Sequence, residues 1–207
     1  RSWKRILYVS VPATLNNLIL PFSAAIVTWM AADIGKEAVA SLGISTRIEN
    51  IAILFFYAIG QGTAILSGQN FGAGNYGRIR DVVGISSKYG LIWGVVIAAA
   101  FWGFAEKIPL LFDPHPQVIA YTAQFLRTVP VSYGALGIMI ICNNAMMATG
   151  KPFPVMTIIF LRAFLFYIPI AYLSEKYFGF SGILMALTVA NIMVGIIAYL
   201  WNKKITP

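Results

Sequence analysis

Charge is scarce in this chain, and acid scarcer than base: 15 Lys and Arg stand against 7 Asp and Glu in 207 residues, with one histidine and one cysteine. A lone Cys142 excludes a disulfide framework, and its apolar surroundings in sequence read it as a small core hydrophobe. With so few ligating side chains, no cluster of His, Cys, Asp and Glu has metal-site spacing, and no nucleophile stands near a base. Metal ligands, cofactors and catalytic residues are therefore not expected, and the chain does not read as an enzyme. Charged residues make up only 11% of the sequence against 59% hydrophobic, with a mean hydropathy of +0.78. That composition excludes disorder and is wrong for a water-soluble globular domain.

Six long apolar segments fill almost the whole chain. Their expected limits are roughly 6–32, 38–71, 82–105, 118–148, 153–173 and 182–201, within a single unit 1–207. From Gly182 to Trp201 there is no charge at all, about the length a helix needs to cross ~30 Å of hydrocarbon. A helix satisfies its own backbone hydrogen bonds where no water can, so the fold class is an all-α integral membrane bundle of six transmembrane helices. Pro12 and Pro21 are expected to kink the first helix, and Pro130 to interrupt the fourth. The chain opens on Arg1 rather than Met, which suggests a processed chain or part of something longer.

The charges are not scattered. With an even number of spans both termini share a side, and that side collects Arg1, Lys4, Arg5, Arg78, Arg80, Lys88, Lys151, Lys203 and Lys204 against Asp81. The opposite side carries Lys36, Lys107 and Lys176, outnumbered by Asp33, Glu37, Glu106, Asp113 and Glu175. Lys and Arg mark cytoplasmic loops, so both termini are expected to be cytoplasmic. The formal net charge of +8 is thus a matter of orientation and not of nucleic-acid binding.

Motifs add little chemistry. Gly72-Ala73-Gly74-Asn75-Tyr76-Gly77 matches a dinucleotide fingerprint, but it follows a membrane helix and not a strand, so it reads as a flexible turn. Gly90-Leu91-Ile92-Trp93-Gly94 suits close helix packing, with chance spacing an equal alternative. His115, in Asp113-Pro114-His115-Pro116, reads as a loop residue. Polar groups inside the spans say more. Arg162 falls near mid-membrane, where a lone guanidinium costs roughly 2.5–3.5 kcal/mol on insertion scales and must find a partner. Glu49 is the acid within reach of the spans, so an Arg162–Glu49 or Arg47–Glu49 contact is expected, as a structural pair or as part of a transport site. Arg127 lies nearer an interface and could snorkel. Asn16, Asn17, Gln61, Asn143, Asn144 and Asn191 recur in apolar surroundings, which with the prolines suits a solvated cavity.

Arg47-Ile48-Glu49, Gly60-Gln61-Gly62 and Gly68-Gln69-Asn70-Phe71-Gly72-Ala73-Gly74-Asn75, followed by Arg78 and Arg80, resemble a known pattern. It is that of the multidrug and toxic compound extrusion (MATE) transporters, nearest their DinF-like branch. The turn Asn144-Ala145-Met146-Met147-Ala148-Thr149-Gly150-Lys151-Pro152, Arg162, and Pro169-Ile170-Ala171-Tyr172-Leu173 are similar to the same family. The resemblance implies one lobe, the carboxy-terminal one, of a pseudo-twofold twelve-helix antiporter. Such proteins exchange protons or sodium ions for small organic, often cationic, compounds by alternating access.

The resemblance also implies partners: the bilayer, and the amino-terminal six-helix lobe of the same polypeptide or a second copy of this one. The location it implies is a bacterial inner membrane. The resemblance to the DinF-like branch implies a coupling carboxylate on the other lobe, and the alternative site of other branches cannot be carried over because the first span has no acid between Pro12 and Trp29. Asn16, Asn17, Tyr57, Gln61, Asn143 and Asn144 are the candidates to line a substrate cleft, and Arg47, Glu49 and Arg162 to form an intramembrane polar network. Two other readings remain: a flippase for lipid-linked precursors, which should want more arginine in its cleft, and a small channel or membrane scaffold.

Overall fold

A computed structural model describes the backbone of residues 2–205 and the side chains of residue 14 and residues 18–204. It is helical throughout, with six long helices and, among the described residues, no strand. Helix α1 is Ser2–Ile34, α2 is Lys36–Gly72 and α3 is Tyr76–Phe104. Helix α4 runs Pro116–Ala148, α5 Pro152–Phe178 and α6 Phe180–Ile205. Five of these are long and apolar enough over their described residues to cross a bilayer; the described apolar part of the sixth, α1, is Leu18–Ile34.

Local chemistry explains the punctuation. Gly150 and Gly179 end α4 and α5 at φ values of 74° and 54°, a backbone region that side chains with a Cβ disfavour. Pro116 and Pro152 stand in the first turns of α4 and α5, where a missing N–H costs nothing. Pro21 sits inside α1 without ending it. Pro130 does change α4: Val129–Ser132 tightens into a 3-10 turn within an otherwise continuous span. The turn residues before the third span also join it, so α3 starts at Tyr76 and not at 82, and Arg78 and Arg80 lie in its first turns.

Helix α5 carries a further irregularity. Leu161–Tyr167 is wound as a π-helix, directly ahead of Pro169. Proline cannot donate to the carbonyl four residues back and its ring crowds that carbonyl, so a widened turn just upstream relieves the conflict. Arg162 sits at the start of that widened stretch.

Helix α4 is the axis. Of its most apolar window 72% is buried, against 17% for α5, and α2, α3 and α6 all pack on it. The α3 contact is backbone to backbone: a Cβ at Gly94 would overlap Gly134, and one at Gly90 would come within 2.9 Å of Ile141. The Gly90–Gly94 pair is therefore a packing face, as small residues are where membrane helices approach closely. Phe56 of α2 is fully buried and its ring fills the space a side chain at Gly137 would need. The outward faces stay apolar, with Leu91, Ile92, Val95 and Val96 exposed on α3 and Ile192, Ile196 and Leu200 on α6. In water such patches would be untenable; in hydrocarbon they are the required surface.

Arg80 and Lys203 line one small cavity, so the start of α3 and the end of α6 lie at the same end of the bundle. Gly68, near the end of α2, approaches Ala148 at the end of α4 at that same end. The basic residues of two connections and one terminus are thus collected together. At the opposite end Arg127 pairs with Glu106 at 2.7 Å, and Asp33 lies within electrostatic range of Glu175.

Candidate functional site

Two chambers open between α1, α2, α4 and α5, one above the other along the bundle. The larger, about 440 Å³, faces the basic end and is lined by Tyr57, Asn143, Asn144, Met139 and Met147 among others. That volume falls within the ~300–1,000 Å³ of small-molecule sites. The smaller, about 190 Å³, faces the acidic end, with Ser23, Thr28, Phe125 and Tyr167 in its walls. Leu20, Thr46, Glu49, Ile159 and Arg162 belong to both. The charged pair therefore stands at the junction. Arg162 comes ten residues into α5, about 15 Å along the axis at 1.5 Å per residue, half of a ~30 Å hydrocarbon core.

Glu49 and Arg162 interact through space, but no ion pair joins them. Instead the Arg162 Nε donates to Asn191 Oδ1 at 2.9 Å. The Asn191 Nδ2 donates onward to Ser132 Oγ at 3.0 Å, and Ser132 Oγ donates to the Val129 carbonyl at 2.8 Å. The chain of donors runs from the cavity junction, through a fully buried asparagine of α6, into the 3-10 turn of α4. Tyr133, fully buried beside that turn, lies near the Glu49 carboxylate. The sequence expectation of an Arg162–Glu49 or Arg47–Glu49 contact is thus corrected: the guanidinium is held by an amide, and the carboxylate faces the space between the chambers.

The remaining candidates separate. Tyr57, Asn143 and Asn144 line the larger chamber together. Asn143 is buried there, and its Oδ1 has no hydrogen-bond partner among the described residues. Asn144 donates to the Ile140 carbonyl at 2.9 Å and rests against Gly60, where a Cβ would come within 2.9 Å of its amide nitrogen. Gln61 is exposed one turn past Tyr57 and is not a lining residue. Arg47 is exposed too; two residues from Glu49, it points to a different side of α2 and touches neither chamber. The side chains of Asn16 and Asn17 lie outside the described residues.

Sequence reasoning passed over Tyr133 and Ser132. Asn191 it counted only as one more polar group in a span. The signal for Ser132 was its place beside Pro130; for Tyr133 there was none, since a tyrosine in an apolar run reads as core or as interfacial belt.

Arg127, expected to snorkel, holds Glu106 at the acidic end with both side chains well exposed. His115 accepts no partner beyond its own loop, where its N–H donates to Asp113 Oδ1 at 2.7 Å. Lys151, just ahead of α5, is partly desolvated, which lowers its pKa below the ordinary lysine value. Among the described residues no group of three His, Cys, Asp or Glu could hold a metal ion.

The MatE family model matches residues 12–173. The chain belongs to this family. The MATE fold is matched closely in three dimensions: against the Vibrio cholerae MATE transporter VcmN in its bent form the TM-score is 0.92 at 30% identity, over 96% of this chain and 45% of that one. In sequence the chain is 31% identical to the FAD transporter of Shewanella oneidensis, over 99% of this chain and 45% of that protein. It is 25% identical to the multidrug export protein MepA of Staphylococcus aureus, over 97% of this chain and 45% of that protein. This MATE chain spans about half the length of the curated relatives it matches. Its six helices amount to one lobe of the MATE fold.

Proposed function

We propose that this chain is the carboxy-terminal lobe of a cation-coupled exporter of small organic compounds, working by alternating access against an amino-terminal six-helix lobe. The observation that carries the reading is the chamber of about 440 Å³ shared by Tyr57, Asn143, Asn144 and the two methionines. Aromatic and thioether surfaces adapt to differently shaped apolar bodies, and amides offer donors and acceptors without fixing a charge. A multidrug site needs that tolerance.

Coupling to protons or sodium is assigned to a carboxylate on the partner lobe. Arg1 to Ala32 contain no acid, and Glu49 is shared between the chambers with Arg162 at its side. The proposed setting is a bacterial inner membrane, with the basic end of the bundle cytoplasmic. Ethidium and norfloxacin efflux from cells expressing the full-length protein, with and without a proton uncoupler or external sodium, tests the reading. Efflux equal to that of empty cells in every condition overturns it.

A second cargo follows from a specific pair of observations. The Shewanella oneidensis relative is named an FAD transporter, and Arg162 places a fixed cation at the chamber wall that a phosphate could approach. Flavin fluorescence of the medium decides between the two: accumulation of FAD outside cells that do not export ethidium selects the dinucleotide.

A further inference from the structure

Helices α3 and α6 flank α4 and part at their basic ends, leaving a small cleft lined by Arg80, Val83 and Gly84 from one side and Tyr199, Asn202 and Lys203 from the other. It lies away from both chambers and shares no residue with them. We propose that this cleft holds the phosphate headgroup of an anionic phospholipid.

Three features of the cleft select that ligand. The first is charge. Two cations from different helices converge on one hollow, with Arg78 and Lys204 exposed close by in sequence and Asp81 the acid of that end. The tyrosine and asparagine add neutral hydrogen-bonding groups, a donor set suited to phosphate oxygens. The second is size. At about 110 Å³ the cleft is far below the ~300–1,000 Å³ of drug-sized sites, so it takes a headgroup and not a dye or a dinucleotide.

The third is depth, and it distinguishes a lipid from a dissolved anion. The uncharged run of α6 ends at Trp201, and Lys203 follows within one turn, so the cleft sits where hydrocarbon gives way to headgroups. Ile196 and Leu200 of α6 and Ile85 of α3 are exposed on the bilayer side of the same helix ends, a surface for acyl chains. Lys88, two turns deeper on α3 and exposed, can snorkel up to the same level. Basic pockets between helices on this face of a membrane are the recognised form of headgroup site.

Gly84 supplies a clean probe, because a Cβ there meets nothing within 4 Å. A tryptophan at that position grows from an open Cβ into the cleft without removing a charge. Native mass spectrometry of the full-length protein is the measurement, with dioleoylphosphatidylglycerol, dioleoylphosphatidylcholine or glycerol 3-phosphate added to the detergent. The anionic lipid should be retained at least tenfold better than the zwitterionic one, and excess glycerol 3-phosphate should not displace it.

Arg80→Gln and Lys203→Gln should each weaken retention about fivefold, the effect of one cation near a membrane surface. Gly84→Trp should abolish the preference. Lys203 is exposed at a helix end, so Lys203→Gln keeps the test open if another variant fails to fold. Equal retention of the two lipids overturns the proposal, as does an unchanged preference in Gly84→Trp. Displacement by glycerol 3-phosphate would make the cleft a site for a soluble phosphate ester and would also overturn it. None of these three results bears on the export reading, which rests on chambers that share no residue with the cleft.

Discussion

Arg162 and Asn191 are 29 residues apart on neighbouring helices, and the 2.9 Å bond from the guanidinium Nε to the amide oxygen fixes the mid-membrane cation to the buried face of α6. A charged donor to a buried amide is worth about 1.5–3 kcal/mol, and losing Arg162 leaves the fully buried Asn191 amide without its partner. Arg162→Ala should therefore lower the melting temperature of the detergent-solubilised full-length protein well beyond Arg78→Ala, whose exposed charge should count for less than about 0.5 kcal/mol. Asn191→Leu should destabilise by a similar amount, and the double variant by clearly less than the sum. Additive losses would mean that the bond contributes nothing.

The buried carbonyl of Asn143 separates stability from transport. Its Oδ1 lines the larger chamber without a partner, a cost to folding that a cargo or its water could offset. Asn143→Leu, of similar size and apolar, should leave the melting temperature unchanged or raise it by a few degrees while cutting ethidium efflux several-fold. Undiminished efflux would remove Asn143 from the cargo path.

Glycines on α3 should differ sharply by position. Gly94→Ala drives a methyl into the Gly134 backbone and should cost about 1–3 kcal/mol. Gly103→Ala, with nothing within 4 Å, should be neutral or gain up to about 1 kcal/mol from helix propensity. The melting temperature of Gly94→Ala should fall below the parent, and that of Gly103→Ala should match or exceed it. If they coincide, the α3–α4 contact yields more easily than its geometry implies.

Orientation can be read by labelling. On a Cys142→Ser background, Ala73→Cys in the exposed turn after α2 should be closed to membrane-impermeant maleimide added to whole cells, and Gln117→Cys at the start of α4 should be open. The reverse pattern would invert the bundle.

Most of the fold could be read along the chain because the bilayer imposes one rule on every residue. Six apolar runs, the lysines and arginines of 78, 80, 151, 203 and 204, and the glycines at 150 and 179 each respond to local constraints, so they are readable one at a time. The site is different. That Tyr57, Asn143 and Asn144 share a chamber follows from how α2 rotates against α4, which Phe56 and Gly137 decide by packing across helices distant in sequence. The partner of Arg162 was misjudged for a related reason: opposite charge suggested Glu49, but position on the helix faces selected Asn191. Arg47 shows the same effect in reverse, adjacent to Glu49 in the sequence and facing elsewhere.

The widened turn at Leu161–Tyr167 amounts to one residue more than an α-helix would use to cover the same length of α5. A single-residue deletion at Ala163 would return the segment to regular winding with its two halves still in register, because the widened turn already absorbs the extra residue. Val155 and Ile159 would keep their places on the chamber wall and Ile168–Phe178 its seat on α6, while the spacing of the turn that carries Arg162 would tighten. Relatives of this chain that lack one residue in that stretch should therefore keep the same scaffold and the same wall on either side of it, so that a length change, and not a substitution, becomes the means of resetting the junction around Arg162.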